Sequence, residues 1–562
     1  MTTNLKEHFA AIALLAGSLS ALGANPQEPT DRINILWLSC EDISPTLSFY
    51  GDPTAHTPNL DKLAKESMVF TRAFATVGVC APSRSSIITG MYPPSIGTMH
   101  MRTALDVASW GNRKYPEKTD ATDVTGKPVR QYSAVIPDFV KCFTEYLRAD
   151  GYYCTNNAKT DYQFAAPVTA WDANNNQASW QNCPSGKPFF SVFNDEITHE
   201  SKMWLNKNLP QTVKPESVPL PDYYPENSVV RQDVARNYSN IEILDKQIGE
   251  KLEELKKAGL YDKTIIFFFS DHGGPLPRGK REIYDTGLHV PLLVHFPKGA
   301  HAGKFDELIS FVDLAPTVLS LAGIKPPKYM QGKAFLGKYK VSEPRKYIFG
   351  SGDRFDDFSD RVRMVRDKRY LFVRNYYPEL PAYKDVAYRK QMGMMQELLR
   401  LRDNKELSGP TAYWFRTQKT KEEFYDCDTD SLNLTNRIDD PTFSNKINEL
   451  RTALDQHVKT IRDMGEIPEA QMIEQMWPGG IQPKTAKPNV SINKETIRIT
   501  CSTSGASIGY IFSGKEIKPD LNSGWQLYHE PLQVKEAKYL YVLANRIGFA
   551  DSEVVQIKTG RQ

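Results

Sequence analysis

Thr264-Ile265-Ile266-Phe267-Phe268-Phe269-Ser270, running without a break into Asp271-His272-Gly273-Gly274, decides how this chain folds. Large apolar residues that do not alternate with polar ones mark a strand buried on both faces. Such strands belong to sheets covered by helices on both sides. Working outward, Ile241, Leu244, Ile248, Leu252 and Leu255 form a helical stripe just upstream, stopped by Gly259. Pro291 to Phe296 reads as the next strand. Further upstream, Ile33 to Cys40 has the length of a buried strand. Thr57 and Pro58 open a helix as N-cap and first-turn residue, with Leu60, Leu63 and Ala64 on one face. Pro137 to Leu147 reads as another helix, and Tyr152 to Asn156 and Phe189 to Phe193 as strands. This alternation predicts an α/β fold with a mainly parallel sheet covered by helices on both faces.

The texture changes after about residue 340. Short strands at Tyr347–Phe349, Met364–Val365 and Tyr370–Val373, then a charged helical stretch from Asp385 to Asn404, suggest a smaller α+β subdomain. Trp477 to Pro488 is rich in Gly, Pro and Lys and reads as a linker. Beyond it, runs at Thr496–Thr500, Ile508–Phe512, Tyr539–Leu543 and Val554–Ile557 predict an appended β-sandwich. Its Trp525, Tyr528 and Tyr510 are expected to fill its core rather than to line a sugar site. The expected domains are 25–375, 376–476 and 489–562, joined through the linker 477–488.

A chain of 562 residues is too long for one ordinary core. Lys and Arg (70) nearly balance Asp and Glu (67), so the field of the whole protein draws neither nucleic acid nor a membrane surface. Any grip on an anion must be local. The seven cysteines are scattered and odd in number, without a CxxC pair, which argues against zinc and against a disulfide framework. Lys6, the apolar run from Phe9 to Leu22 and the small residues Gly23 and Ala24 fit a signal peptide over 1–24. The run is shorter than the ~20 residues that span a bilayer. An exported protein, periplasmic or secreted, is expected.

In an open parallel sheet, ligands bind beyond the carboxyl ends of the strands. There the sequence sets Glu41-Asp42 after the first strand and Asp271-His272 after the buried one. Lys159 and Asp161 follow the strand at Tyr152, and His199 follows the strand at Phe189. Three carboxylates and a histidine on one edge need a cation, and mostly oxygen ligands favour calcium or magnesium. Cys80, in Gly78-Val79-Cys80-Ala81-Pro82-Ser83-Arg84, falls at the start of a helix that Gly90 ends. Free N–H groups there favour an anion, and Arg84 shares that face. Local physics leaves open a structural thiol beside a helix cap.

CAPSR followed by Thr89-Gly90 resembles the C-x-P-S-R signature of type I sulfatases, in which the cysteine becomes formylglycine. NILWLSCED, HTPNLDKLAKESMVFTRAF, SDHGGPLPRGKREIYDTGLHVPLLVHFP, VDLAPTVLSLAGIKPP and EEFYDCDTDSLNLTN resemble the same family, in order, over roughly residues 31 to 440. The resemblance implies an alkaline-phosphatase-like fold. It implies that Cys80, oxidised to 3-oxoalanine (formylglycine) by a formylglycine-generating or anaerobic sulfatase-maturating enzyme, attacks sulfur as its hydrate. The second hydroxyl then expels sulfate. Glu41, Asp42, Asp271, His272 and the modified Cys80 would hold one calcium ion, Arg84 would steady the aldehyde, and Lys159 and Lys280 would bind sulfate oxygens. His199 would be the general acid.

Two positions depart from the family pattern. Glu41 stands where the family usually has aspartate, and Asp161 where it usually has histidine. Asp161 and His100, the latter in GTMHMR, are carried as substrate-binding candidates. The CED start, AKTDY and GTMHMR resemble a branch that includes N-sulfoglucosamine sulfohydrolases and bacterial polysaccharide sulfatases, so the expected substrate is a sulfated carbohydrate, as O- or N-sulfate. Two rivals are a phosphate or phosphonate monoester hydrolase of the same superfamily and a glycan-binding protein without turnover.

Overall fold

The central sheet of the computed structural model contains nine strands: β1 (Asn34–Cys40), β2 (Ser67–Phe74), β3 (Tyr153–Asn157), β4 (Ala173–Asn174), β5 (Phe189–Asp195), β6 (Thr264–Ser270), β7 (His289–His295), β8 (Gly303–Phe305) and β9 (Ile309–Ser310). The structure describes residues 32–103, 115, 119–534 and 536–559. The expected signal segment, 1–24, lies outside them. The spatial order is β4-β3-β5-β1-β6-β7-β2-β8, with β9 beside β2. All pairings are parallel except those of β7, which runs antiparallel to both β6 and β2. The Pro291–Phe296 run is therefore a strand of the opposite sense. Its connection from β6 returns as a loop, without the crossover helix that a parallel neighbour requires.

Alternation along β1 explains why both sheet faces are buried. Ile35 and Trp37 enter one core with Phe190, Val192, Phe267 and Phe269. Leu36 and Leu38 enter the other with Ile266, Phe268 and Leu293. The first face is covered by helices Cys80–Thr89, Phe143–Ala149 and Leu314–Leu321, the second by Pro58–Lys65 and Ser228–Lys257. The expected stripe Ile241–Leu255 is the buried face of the last of these helices.

The helix at Pro58 starts where the sequence places it, but Thr57 does not cap it with its side chain. Thr57 Oγ1 pairs instead with Ser48 Oγ at 2.6 Å. The free N–H groups of Asn59 and Leu60 go to Asp245 of the neighbouring helix, at 3.1 and 2.8 Å. A Cβ on Gly249 would lie 2.5 Å from the Asn59 side chain, so this glycine allows the close helix contact. Asp245→Ala is expected to lower stability by about 2 kcal/mol, since it removes a cap and leaves buried donors unpaired. A lower urea midpoint at unchanged slope is the readout.

The helix expected at Pro137–Leu147 begins only at Phe143 and ends at Ala149. Residues before it are drawn into contacts with the C-terminal module: Lys141 Nζ donates to Gly505 O at 2.7 Å and Ser504 Oγ to Asp138 at 2.5 Å. The Asp385–Asn404 stretch is likewise broken into a short turn, Ala387–Gln391, and a helix, Gly393–Asp403. There Met394 N–H bonds Asp233 at 2.6 Å across the fold.

The second sheet, β10 (Ile348–Gly352), β11 (Val362–Arg366), β12 (Tyr370–Asn375) and β13 (Glu422–Asp426), is antiparallel and backed by helix Ser444–Ile461. Seven short strands follow: β14 (Asn489–Asn493), β15 (Thr496–Thr500), β16 (Ser507–Ser513), β17 (Gln526–Leu527), β18 (Leu532–Gln533), β19 (Tyr539–Asn545) and β20 (Val555–Lys558). They form two antiparallel sheets with Ile497, Ile499, Leu540 and Val542 buried together. Trp525 is buried, and Arg148 donates to its carbonyl at 2.7 Å. The β-module is thus bonded to the residues around the central sheet. All seven cysteines are free.

Candidate active site

Because β3, β5, β1, β6 and β2 all run the same way, their carboxyl ends share one edge of the sheet. Lys159, His199, Glu41-Asp42, Asp271-His272 and Cys80 follow those five ends. Cys80 is the first residue of helix Cys80–Thr89, after an extended Val79, and Gly90 closes the helix at φ 68°. The approach to it is tight: Arg281 N–H bonds Gly78 O at 2.6 Å, and a Cβ on Gly78 would lie 2.4 Å from Glu282 O. This lock sets Lys280 beside Cys80, with Nζ 3.4 Å from Sγ.

Ligand atoms of Asp42, Cys80, Asp271 and His272 lie within 4.8 Å of one another, as do those of Glu41, Asp42, Cys80 and His199. The first group suits a metal ion on its own chemistry. His272 Nδ1 is 3.0 Å from the Gly273 carbonyl, which can only accept, so Nδ1 carries a proton and Nε2 is the nitrogen turned to the carboxylates. Nε2 is buried without a hydrogen-bond partner, 3.1 Å from Asp42 Oδ1 and 3.6 Å from Asp271 Oδ1. Burial disfavours a charge on this ring, yet Asp271 and Asp42 outweigh it and push its pKa up. The surroundings demand positive charge at that point.

Three cations hold the carboxylates in place. Lys280 Nζ reaches both oxygens of Asp42, at 2.9 and 2.7 Å. Arg84 bonds Glu41 Oε1, Asp271 Oδ2 at 3.1 Å and Asn194 Oδ1 at 2.8 Å. Lys159 Nζ bonds the other Glu41 oxygen at 2.8 Å. Burial opposes ionisation of Glu41 and Asp42, but Lys159 and Arg84 on the one, and Lys280 and His272 on the other, hold both below the usual carboxylate range. Asp271 differs: burial and then Glu41 raise its pKa. Glu41, expected as a metal ligand, has both oxygens engaged by Arg84 and Lys159 and is grouped with His199 rather than with Asp271 and His272.

His199 Nδ1 accepts from Ser201 N–H at 3.2 Å, so Nε2 carries the proton on the side of Glu41, 3.9 Å from its oxygen. Burial and the Lys280 charge hold its pKa well down. Asp161 is buried beside Lys159, 3.8 Å away. His100 belongs to a neighbouring group: its Nδ1 accepts from Arg354 N–H at 3.3 Å and lies 3.7 Å from Glu469. Burial, against the pull of Glu469, lowers its pKa to about 4. The sequence reading missed Asn194, Thr198, whose hydroxyl bonds Glu41 O at 2.6 Å, and Glu200, whose N–H bonds Asp42 Oδ2 at 2.7 Å. Their position at the carboxyl end of β5 (Asn194) and in the segment just after it, beside His199 (Thr198 and Glu200), was the available signal.

An edge like this, with cations, carboxylates and a helix N-terminus converging, has the chemistry to suit a tetrahedral oxyanion, and the fold is alkaline-phosphatase-like. Residues 33–324 match the Sulfatase family model, and 278–407 match N-sulphoglucosamine sulphohydrolase, C-terminal. An ulvan-active sulfatase of Formosa agariphila is 42% identical over 94% of this chain and 92% of its own length. Human N-sulphoglucosamine sulphohydrolase is 25% identical over 75% of this chain and 89% of its own. Among solved structures, a 2-O GAG sulfatase superposes with a TM-score of 0.54 at 17% identity, covering 77% of this chain and 93% of that one. A phosphonate monoester hydrolase from Silicibacter pomeroyi superposes with 0.51 at 15%, covering 78% and 97%. The structural likeness alone thus defines only the fold, and the sequence relation narrows it. The chain belongs to the sulfatase family and is a sulfuric ester hydrolase. Among the described residues no helix is long and apolar enough to cross a membrane.

Proposed function

We propose that this enzyme removes sulfate from a sulfated polysaccharide or its fragments, with Cys80 as the precursor of a formylglycine nucleophile. The observation that carries the reading is the convergence of Cys80 with Asp42, Asp271 and His272 inside 4.8 Å, and with the Lys280 ammonium at 3.4 Å. A maturating enzyme supplies the aldehyde, whose hydrate offers one hydroxyl to attack sulfur and a second to release the product. Asp42, Asp271 and His272 would hold one calcium ion beside residue 80, with Glu41 steadying Arg84 and Lys159 around it; the ion supplies Lewis acidity toward the sulfate.

The chain's own residues do the rest. Lys280 and Lys159 bind sulfate oxygens and keep their charges because Asp42 and Glu41 more than offset the cost of burial. Arg84, tied on both sides by carboxylates, is held in one orientation facing residue 80. His199 presents its Nε2 proton toward the leaving oxygen, and Asp161 and His100 stand by for the saccharide. The substrate class rests on the ulvan-active and N-sulphoglucosamine relatives. Export rests on the Lys6 to Ala24 pattern.

The competing phosphonate-hydrolase reading shares the fold, and matched substrates separate the two. Protein matured with a formylglycine-generating enzyme is expected to hydrolyse 4-nitrophenyl sulfate at least about 100-fold faster than 4-nitrophenyl phosphate, because one dication suits a singly charged ester. It is also expected to release sulfate from at least one defined sulfated saccharide. Faster phosphate hydrolysis, or no sulfate from any ester or sulfamate despite conversion of Cys80, sinks the reading.

A further inference from the structure

Beside the nucleophile stands a group of charges that the hydrolysis of a sulfate ester does not use. Met101 and Phe355 pack together with Val79, Cys80 and Ala81. The residues directly after them, Arg102 and Asp356, form an ion pair, with Nε to Oδ1 at 3.0 Å. The other Asp356 oxygen takes Arg281 Nε at 2.9 Å, and Arg281 Nη1 takes Glu200 at 2.9 Å. Arg389 lies 3.6 Å from the same Glu200. The group therefore holds three guanidinium cations, Arg102, Arg281 and Arg389, against two carboxylates, Asp356 and Glu200.

Arg102 is the exposed end of this chain of charges. Its side chain is 39% exposed, whereas those of Arg281, Arg389 and Glu200 are fully buried. Among the described residues only its Nε is hydrogen-bonded, and the outer fork of the guanidinium has no partner among them. The guanidinium lies 5.3 Å from the centre of the Tyr388 ring, and Tyr388 meets Trp204 edge-on at 5.2 Å. Trp204 sits on the short helix that follows His199 and Glu200. The contacts close a ring: Glu200, Arg281, Asp356, Arg102, Tyr388, Trp204 and back to the segment bearing His199. A fork fixed by a carboxylate behind it and an aromatic ring below it is pre-organised for a two-oxygen anion.

We propose that Arg102 is the anchor of a second subsite, which takes another anionic group, a carboxylate or a further sulfate, on the saccharide whose sulfate is cleaved at Cys80. Tyr388 and Trp204 form its apolar wall, and the buried Arg281 and Glu200 hold Asp356 in place behind it. The enzyme then selects polyanionic sugars over neutral monosulfated ones. This rests on the proposed action on sulfated saccharides and adds the feature that saccharide must carry.

The test uses the full matured enzyme and three oligosaccharides with the same scissile sulfate: one with a carboxylate on the sugar, one carboxyl-reduced, and one carboxyl-reduced with a second sulfate. Wild type is expected to favour at least one anionic form over the neutral one by about ten- to a hundredfold in kcat/KM, the worth of a charge-assisted pair. Arg102→Gln is expected to erase that ratio. Arg102→Lys, which keeps a charge for Asp356 but loses the fork, recovers only part of it. Which anionic form is favoured identifies the group. Equal rates on all three with wild type, or an unchanged ratio in Arg102→Gln, overturns the subsite while leaving the sulfatase reading intact. No sulfate from these three or from any other ester or sulfamate, despite conversion of Cys80, brings down both.

Discussion

Cys80→Ala is expected to cut the rate on any sulfate ester by about 10,000-fold or more, the scale on which losing a nucleophile is felt. The residue is buried at a helix N-terminus, touched by Lys280, and within reach of Asp42, Asp271 and His272. Its neighbours would survive the change, because Lys280 remains tied to Asp42 and Arg84 to Glu41 and Asp271. The variant should therefore unfold at nearly the wild-type temperature while its turnover is lost. Cys80→Ser sharpens the point. A serine hydroxyl can attack sulfur, but it has no second hydroxyl on the same carbon to expel the sulfate, so this variant is expected to be as inactive at steady state. Mass spectrometry of the peptide Ala73–Arg84 from active protein is expected to show CHO in place of CH2SH at residue 80. Full activity with an unmodified thiol, or appreciable turnover by Cys80→Ala, would refute the assignment.

The parts of this molecule that could be read from the sequence are those whose signal is local. β6 was found to the residue because seven adjacent positions are all buried. The long stripe ending at Leu255 and the Gly90 stop of the Cys80 helix follow from period and chirality alone. What the sequence hid lies in contacts between distant segments. The cap of the Pro58 helix is Asp245, 185 residues from Leu60, so local cap rules chose Thr57 instead. The helix at Phe143 starts late because its expected first turn is held by residues 504 and 505. At the site, the residues at strand ends were recoverable because one topological rule gathers them on one edge. The Arg102–Asp356–Arg281–Glu200 chain was not, since each link joins a different loop and none stands in a motif by itself.

Removal of the divalent ion is expected to have the second largest effect, with activity falling by about 1,000-fold or more on chelation and returning when calcium is restored. That is the several kcal/mol a Lewis acid supplies to a transition state gaining charge. Stability should move with it. An ion held at a thousand times its dissociation constant adds about 4 kcal/mol to the folded state, so the unfolding temperature rises with calcium concentration. Asp271 is the residue on which this depends most. Glu41 and Asp42 already have cations that hold their pKa values down, so their contribution to stability is present above their unfolded pKa of roughly 4 and fades as the pH falls through the lower folded values. The Asp271 pKa is instead raised by burial and by Glu41, so its negative charge costs the folded state as the pH rises past about 4. A dication relieves that cost. Asp271→Asn is therefore expected to abolish the calcium-dependent rise in unfolding temperature along with activity, while Lys159→Met, which leaves Asp42, Asp271 and His272 in place, keeps the rise and loses turnover. Calorimetric scans with and without calcium distinguish the two. A calcium-dependent rise that persists undiminished in Asp271→Asn would place the ion elsewhere.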